Sequence, residues 1–435
     1  MKHLLKNAVA GFALVASGAL GGAALAEVTV IHAGELLAVP GKAAKKEQSV
    51  IIEDGRIKAV EDGYVDAGAY GEDAKVVDLK DSFVMPGMMD MHVHLQGELG
   101  PNGDSQTLRW SFEEVGMHSV HFAGKTLMAG FTTVRDLGSS SPQHMYALRN
   151  AIERGWVDGP RIVASGGVSP TGSHGDVDGM RHDLLEKYTG KTICNGPFDC
   201  RRAVREAVKY GADVIKITAT GGVLSDTDTG TGQQMADDEL KEIMDTAHSL
   251  GRKVAAHAHA AEGINAALRA GVDSIEHGTY SDAESIKLFK KSGAYLVPTL
   301  IAGDTVVGMA KSSNFMSPAI KEKALRVGSD MLSHFQAAHK AGVKIAFGTD
   351  SGVSQHGTNA REALLMQSGG MTPMEILKSA TVNAADLINM SDSLGTIEAG
   401  KHADIIAMHG SPLENLEELL DVDFVMKAGK AVKNK

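Results

Sequence analysis

Residues 84–95 read VMPGMMDMHVHL, a short apolar run that ends in Asp90, His92 and His94. Side chains alternate along a strand, so those three groups share one face. Seven further runs of the same kind follow: FTTVRDLG (131–138), RIVASGG (161–167), DVIKITATGG (213–222), KVAAHAHA (253–260), SIEHG (274–278), AYLVPTL (294–300) and KIAFGTDSG (344–352). Helix-like stretches separate them. Several are preceded by a glycine, as in MAGFTTV, YGADVIK, RAGVDSI, KSGAYLV and KAGVKIA, the residue that commonly closes a helix before the next strand. Eight strands alternating with helices predict an α/β fold of the (β/α)8 TIM-barrel type over residues 85–393. The open doubly wound alternative loses its main support, because no G-x-G-x-x-G follows the first run.

Outside this region the texture differs. Residues 27–84 and 394–435 carry short strand-like runs with turn signals at Pro40-Gly41, Asp54-Gly55 and Asp62-Gly63. They predict a small β-sandwich domain assembled from both chain ends. The opening 26 residues join a basic start (Lys2, Lys6) to an apolar run and small residues at Ala24 and Ala26. That is the pattern of a secretory signal peptide cut after Ala26, and it predicts a periplasmic or secreted protein. The run is shorter than the ~20 residues of a membrane-spanning helix, and no membrane association of the mature form is expected.

Removing two lysines and no acids with that segment takes the formal charge from −11 to −13. A chain this acidic, lacking any basic run, is a poor ligand for nucleic acid or anionic membrane. Its two cysteines, Cys194 and Cys200, flank NGPFD. In an oxidising compartment they are expected to form a disulfide.

In a barrel, function gathers where strands end. Here the runs end in metal-ligand chemistry: His92 and His94, then His257 and His259, then His277, then Asp350. Two imidazoles two residues apart can grip one ion, and the nearby carboxylate of Asp90 can orient them. An isolated H-x-H says little in a chain with 18 histidines, but a ring of such residues at one level is not explained by packing. Alternation alone does not separate His257 from His259 as a ligand. Lys216 lies inside DVIKIT, where burial of an ammonium is costly. Either it snorkels at the strand end, or its lowered pKa leaves a neutral amine open to Schiff-base chemistry or to carboxylation by CO2. His174, in the TGSHGD loop (171–176), is a candidate catalytic donor or substrate contact, or a solvent-facing loop residue. Gly221 and Gly222 allow close backbone approach to substrate or form a tight turn. Arg135 and Asp136, in VRDLG after the second run, either pair with each other for structure or line the pocket, and both are read as structural.

The motifs PGMMDMHVHL, VIKITATGG, AAHAHAAEGI, SIEHGT, FGTDSG and GTIEAGKHADII together resemble the amidohydrolase superfamily over nearly the whole mature chain. ATGGVLSD, VAAHAHAAEGI and AGVDSIEHGTY narrow the resemblance to the branch of imidazolonepropionase-like proteins, Xaa-Pro and Xaa-Arg dipeptidases and ochratoxinase. The resemblance implies two divalent metal ions. His92, His94 and Asp350 match ligands of the more buried one, and His257 and His277 match ligands of the other. Lys216 matches an N6-carboxylysine, its carboxylate derived from CO2, that bridges both. His259 falls to substrate contact. Zinc suits this donor set, with manganese, iron and cobalt as alternatives. Imidazolonepropionases proper have a mononuclear site without this lysine, so Lys216 argues against that activity.

The implied chemistry is hydrolysis of an amide or peptide bond to an amino-acid leaving group, with hydroxide generated at the metals and Asp350 shuttling the proton. Substrates would be small amides, namely dipeptides, N-acyl amino acids or ochratoxin-type amides, and relatives imply a homo-oligomer. Three readings compete: hydrolysis of a cyclic amide or lactone, a metal-free Schiff-base lyase using Lys216, and a non-enzymatic binding protein. The last would require loss of a ligand, and all six positions are present.

Overall fold

A computed structural model describes residues 28–138, 142–225 and 230–435. The predicted signal peptide lies outside the described residues. Eight strands form one curled parallel sheet in sequence order: Met88–Val93, Phe131–Asp136, Arg161–Pro170, Val214–Thr218, Lys253–Ala258, Ser274–His277, Tyr295–Val297 and Lys344–Ile345. The short strand Ile193–Cys194 pairs beside the third. Past the eighth strand, main-chain bonds from Met91 N to Phe347 O (2.8 Å), Asp350 N to His92 O (2.7 Å) and His94 N to Ser351 O (2.6 Å) bring the two edges of the sheet together. Barrel-type curling is thereby realised, with the ends of the first and eighth strands in direct contact.

The glycine signals act as expected. Gly211 (φ 117°) and Gly271 (φ 100°) close the helices Pro197–Tyr210 and Ala261–Ala270 in the left-handed conformation, and Val214 and Ser274 begin the next strands three residues later. The main core is continuous from Leu127 and Phe131 through Ile215, Ile217 and Val254 to Phe347. Cys194 and Cys200 are joined by a disulfide beside the helix Pro197–Tyr210.

Both chain ends meet. Among the described residues the terminal strands are linked edge to edge in one seven-stranded mixed sheet. Its order is Lys430–Asn434, Phe424–Lys427, Ile405–Met408, Lys75–Pro86, Val28–Leu36, Lys45–Glu53, Arg56–Asp62. The reason lies in the 12-residue strand Lys75–Pro86. It pairs parallel to Val28–Leu36 along its length and antiparallel to Ile405–Met408 at its end, so one strand joins the N- and C-terminal pieces. Two residues later the first barrel strand begins. At Gly87 a Cβ would lie 2.2 Å from Thr132 Oγ1, so only glycine lets the chain cross this closely.

Met85, Ile406, Met408 and Val425 of the terminal sheet belong to the main core. An ion pair adds to that seam: Arg161 Nη1 lies 2.6 Å from Asp404 Oδ2, and Asp404 also accepts from Ala428 N at 2.7 Å. Both side chains are largely buried, so loss of one leaves the other charge uncompensated. Asp404→Ala is expected to destabilise the fold by about 3 kcal/mol, measured as a shift in equilibrium urea unfolding.

Candidate active site

The inward carboxylate of the sixth strand organises the site. Glu276 is fully buried and accepts from Arg135 Nη2 (2.8 Å), Ser274 Oγ (2.6 Å) and His92 Nδ1 (2.9 Å). Burial alone would raise its pKa, but Arg135 and the bond to His92 outweigh this and hold it at about 2. Arg135 is itself fixed by Met91 O at 2.7 Å. A permanent carboxylate on Nδ1 makes that nitrogen of His92 the donor and turns Nε2 inward with its lone pair free.

The same arrangement recurs around the ring. His94 Nδ1 donates to Gly138 O at 2.9 Å, a group that only accepts. Thr299 Oγ1 donates to Pro298 O at 2.8 Å, so its bond to His277 Nδ1 at 2.7 Å must be accepted from the imidazole. His92, His94 and His277 therefore all present Nε2 to a common interior. Imidazole centroids of His92 and His277 lie 5.1 Å apart, and those of His257 and His277 4.6 Å apart. Burial lowers the pKa of His92 to about 4 and puts His257 and His277 well below the ordinary value, so these rings are neutral at neutral pH.

Asp350 faces this group. Its Oδ1 is 3.0 Å from His94 Nε2 and 3.5 Å from His92 Nε2. Burial opposes its ionisation, yet the imidazoles of His92, His94 and His277 hold its pKa below the usual carboxylate range. A ligand atom from each of His92, His94 and Asp350 lies within 4.8 Å of the others. Lys216 Nζ approaches His92 Nε2 at 3.5 Å, and burial pulls its pKa down to about 8. The snorkelling alternative does not describe this amine, which is 8% exposed and turned inward.

The remaining predicted residues gather on the fourth-strand side. His174 is not a solvent-facing loop residue: its ring stands 4.4 Å from that of His257, and its Nδ1 bonds Ser225 Oγ at 2.5 Å. His259 stacks on His277 at 5.0 Å and bonds Thr279 Oγ1 at 2.8 Å. His257 Nε2 lies 3.4 Å from Gly221 O. The close approaches of the glycine pair are made to the protein itself. A Cβ on Gly221 would meet Gly230 O at 2.0 Å, and one on Gly222 would meet His174 Nε2 at 2.3 Å.

Three departures stand out. Asp90 does not reach the imidazoles: it accepts from the amides of His92 and Thr349 and from Thr349 Oγ1, and so fixes main chain. Arg135 and Asp136 do not pair with each other, since alternation sends them to opposite faces. Asp136 instead accepts from Leu95 N and Gly138 N. Glu276 itself was readable by the signal that singled out Lys216, a charged residue in mid-strand of a buried sheet. Of seven non-glycine residues at positive φ among those described, three belong here: His277 (69°), Thr299 (51°) and Asp350 (57°). Such strain concentrates at functional sites, where the surrounding structure enforces it.

A profile of the Amidohydrolase family matches residues 83–432. The chain belongs to this family and is a hydrolase of amide-type bonds. It is 31% identical to ochratoxinase of Aspergillus niger, over 94% of this chain and 87% of the relative. The crystal structure of that enzyme superposes with a TM-score of 0.83, over 94% of this chain and 96% of that one. A Xaa-Pro dipeptidase structure with methionine bound in its active site is 39% identical, with a TM-score of 0.88 over 94% of this chain and all of that one. A prolidase complexed with N-methylphosphonate-L-proline is 32% identical, with a TM-score of 0.84 over the same shares.

Gly222→Ala tests the placement of His174. The added methyl cannot coexist with the imidazole where it stands, so kcat/KM on amide substrates is expected to fall by at least about tenfold, the cost of a misplaced group in an active site. Steady-state kinetics beside a thermal melt would check this, with the melt separating displacement of His174 from general unfolding.

Proposed function

We propose that this protein is a binuclear metal-dependent amidohydrolase that releases an amino acid from a dipeptide, an N-acyl amino acid or an ochratoxin-type amide. The observation that carries the reading is the convergence of inward imidazole nitrogens on Asp350. His94 Nε2 and Asp350 Oδ1 stand 3.0 Å apart, a hydrogen bond while the imidazole is protonated and a spacing at which one cation can take the place of that proton. Bonds of about 2.0–2.2 Å to one ion place neighbouring ligand atoms roughly 3–3.5 Å apart, so this donor set fits a metal.

His92, His94 and Asp350 would hold one ion, His257 and His277 the other, and Lys216 would bridge them as its carboxylated form. Carboxylation joins the neutral amine to CO2 and releases one proton. A buried lysine with its pKa near 8 has that amine within reach. Divalent ions held there, zinc by the donor chemistry, supply activation of water near neutral pH and polarisation of the scissile carbonyl.

This chain's residues do the rest. Asp350 takes the proton of the attacking water and delivers it to the departing nitrogen, a transfer an amide requires before it can leave. In the tautomer whose Nδ1 accepts from Ser225 Oγ, His174 carries its proton on Nε2 and donates to the tetrahedral oxyanion. His259, stacked on His277, contacts the substrate. An amino-acid leaving half is supported by the methionine in the related dipeptidase, and tetrahedral chemistry by the phosphonate on the related prolidase. The Cys194–Cys200 disulfide suits export to the periplasm or beyond, after loss of the first 26 residues.

The test is metal analysis of protein purified without chelators, with hydrolysis of Xaa-Pro, Xaa-Arg, Xaa-Phe and N-acyl amino acids before and after chelation. About two equivalents of metal and chelator-sensitive cleavage are expected. Metal-free protein with full activity would move the function to Schiff-base chemistry at Lys216. A pH dependence follows as well: the neutral Lys216 amine predominates above its pKa of about 8 and is depleted below it. Reconstitution of apoprotein with metal is expected to be accelerated by bicarbonate and to proceed faster at about pH 8.5 than at about pH 6.5.

A further inference from the structure

Residues 356–362, HGTNARE, run from the eighth-strand end into the first turn of the helix Arg361–Ser368. Connections of this kind ordinarily keep polar side chains in water. This one buries three: His356 is 1% exposed, and Asn359 and Glu362 are fully enclosed.

Each of the three reaches a different arm of the candidate metal site. His356 Nε2 donates to the carbonyls of His94 (3.2 Å) and Gly97 (3.1 Å), where the first strand runs out. Asn359 Nδ2 donates to Asp90 Oδ2 at 2.8 Å. Asp90 in turn accepts from His92 N and Thr349 N, both at 3.1 Å, and from Thr349 Oγ1 at 2.6 Å, and so ties His92 to the residue before Asp350. Glu362 accepts from Leu300 N (2.9 Å) and Ile301 N (2.7 Å), the first amides of the helix Leu300–Ser312. The residue before that helix is Thr299, which holds His277 Nδ1.

We propose that His356, Asn359 and Glu362 are positioning residues that set the separation of the metal ligands, a clamp acting on His94, on the His92–Asp350 pair and on His277 at once. The inference rests on the metal reading above. Its warrant is the cost of the buried groups: an amide, an imidazole and a carboxyl each lose several kcal/mol on leaving water unless bonded. All three bond main chain or carboxylate of ligand-bearing elements, His356 through Nε2 alone, its Nδ1 being buried without a partner. The segment is seated only when those elements stand at the right spacing, and the elements are held at that spacing while it is seated. Groups that hold ligands this way commonly control metal affinity by one to two orders of magnitude.

The test titrates apoprotein with Co(II), whose visible absorption reports both occupancy and ligand geometry. Wild type is compared with His356→Ala, His356→Gln, Asn359→Ala and Glu362→Gln, and the thermal midpoint of each apoprotein is recorded. Co(II) affinity is expected to fall about tenfold or more in His356→Ala and Asn359→Ala, with an altered spectrum. His356→Gln, which retains a donor, should recover part of it, and kcat should fall while KM stays. Glu362→Gln keeps the volume and one acceptor, so it carries the test if Asn359→Ala fails to fold. Variants that bind Co(II) within about twofold of wild type, with only a lower apoprotein midpoint, would reduce the segment to ordinary packing. Wild type that binds no Co(II) overturns the metal reading and the clamp together; wild type and variants that bind equally well overturn the clamp alone.

Discussion

A carboxylate stands at the dry centre of this sheet because a guanidinium faces it. Without Arg135, ionised Glu276 would bear a desolvation cost of several kcal/mol, and the carboxyl would take up a proton instead. With Arg135 in place Glu276 stays an anion, and its second oxygen fixes the proton of His92 on Nδ1. The direction of His92 Nε2 follows from that choice. So do the short approaches of Asp350 and Lys216 to the same nitrogen. The pair also spans strands: Arg135 comes from the second, Glu276 from the sixth, and Met91 O, which Arg135 holds, from the first. One buried ion pair thereby links the geometry of the barrel wall to the protonation pattern of its open end.

Much of this was legible in the sequence because strand ends and strand interiors obey different rules. Eight apolar runs with polar ends gave the parallel sheet, and glycines such as Gly211 gave the helix stops. The metal-type residues at His92, His94, His277 and Asp350 stood out because each sits where an apolar run ends. The terminal sheet was less legible. Alternation showed that both ends were strands, but only pairing along Lys75–Pro86 shows that they share a single sheet, and register over more than 300 residues leaves no local trace. The partners of the ligands were harder still. Thr299 and Gly138 act through one hydroxyl and one carbonyl, which pattern reading treats as background. Asp90 shares a face with His92 and His94, yet its oxygens go to main chain because Thr349 and Asn359 surround it.

Strain marks the same place by another route. His277, Thr299 and Asp350 adopt left-handed backbone at three neighbouring strand ends, each at a cost of roughly 1–3 kcal/mol. A fold keeps such residues only where surrounding bonds over-determine them. Here those bonds are the Thr299 link to His277, the His92 carbonyl on Asp350 N, and the seating of Glu362 on the helix after Thr299. The energy stored in the backbone and the order imposed on the imidazoles are two faces of one arrangement.

The most direct measurement is diffraction from crystals of chelator-free protein, collected on either side of the metal's absorption edge. The account predicts two anomalous peaks, one among His92, His94 and Asp350 and one beside His257 and His277, with carboxylate density extending from Lys216 Nζ between them. A bare lysine amine with no anomalous peak at either position would contradict it.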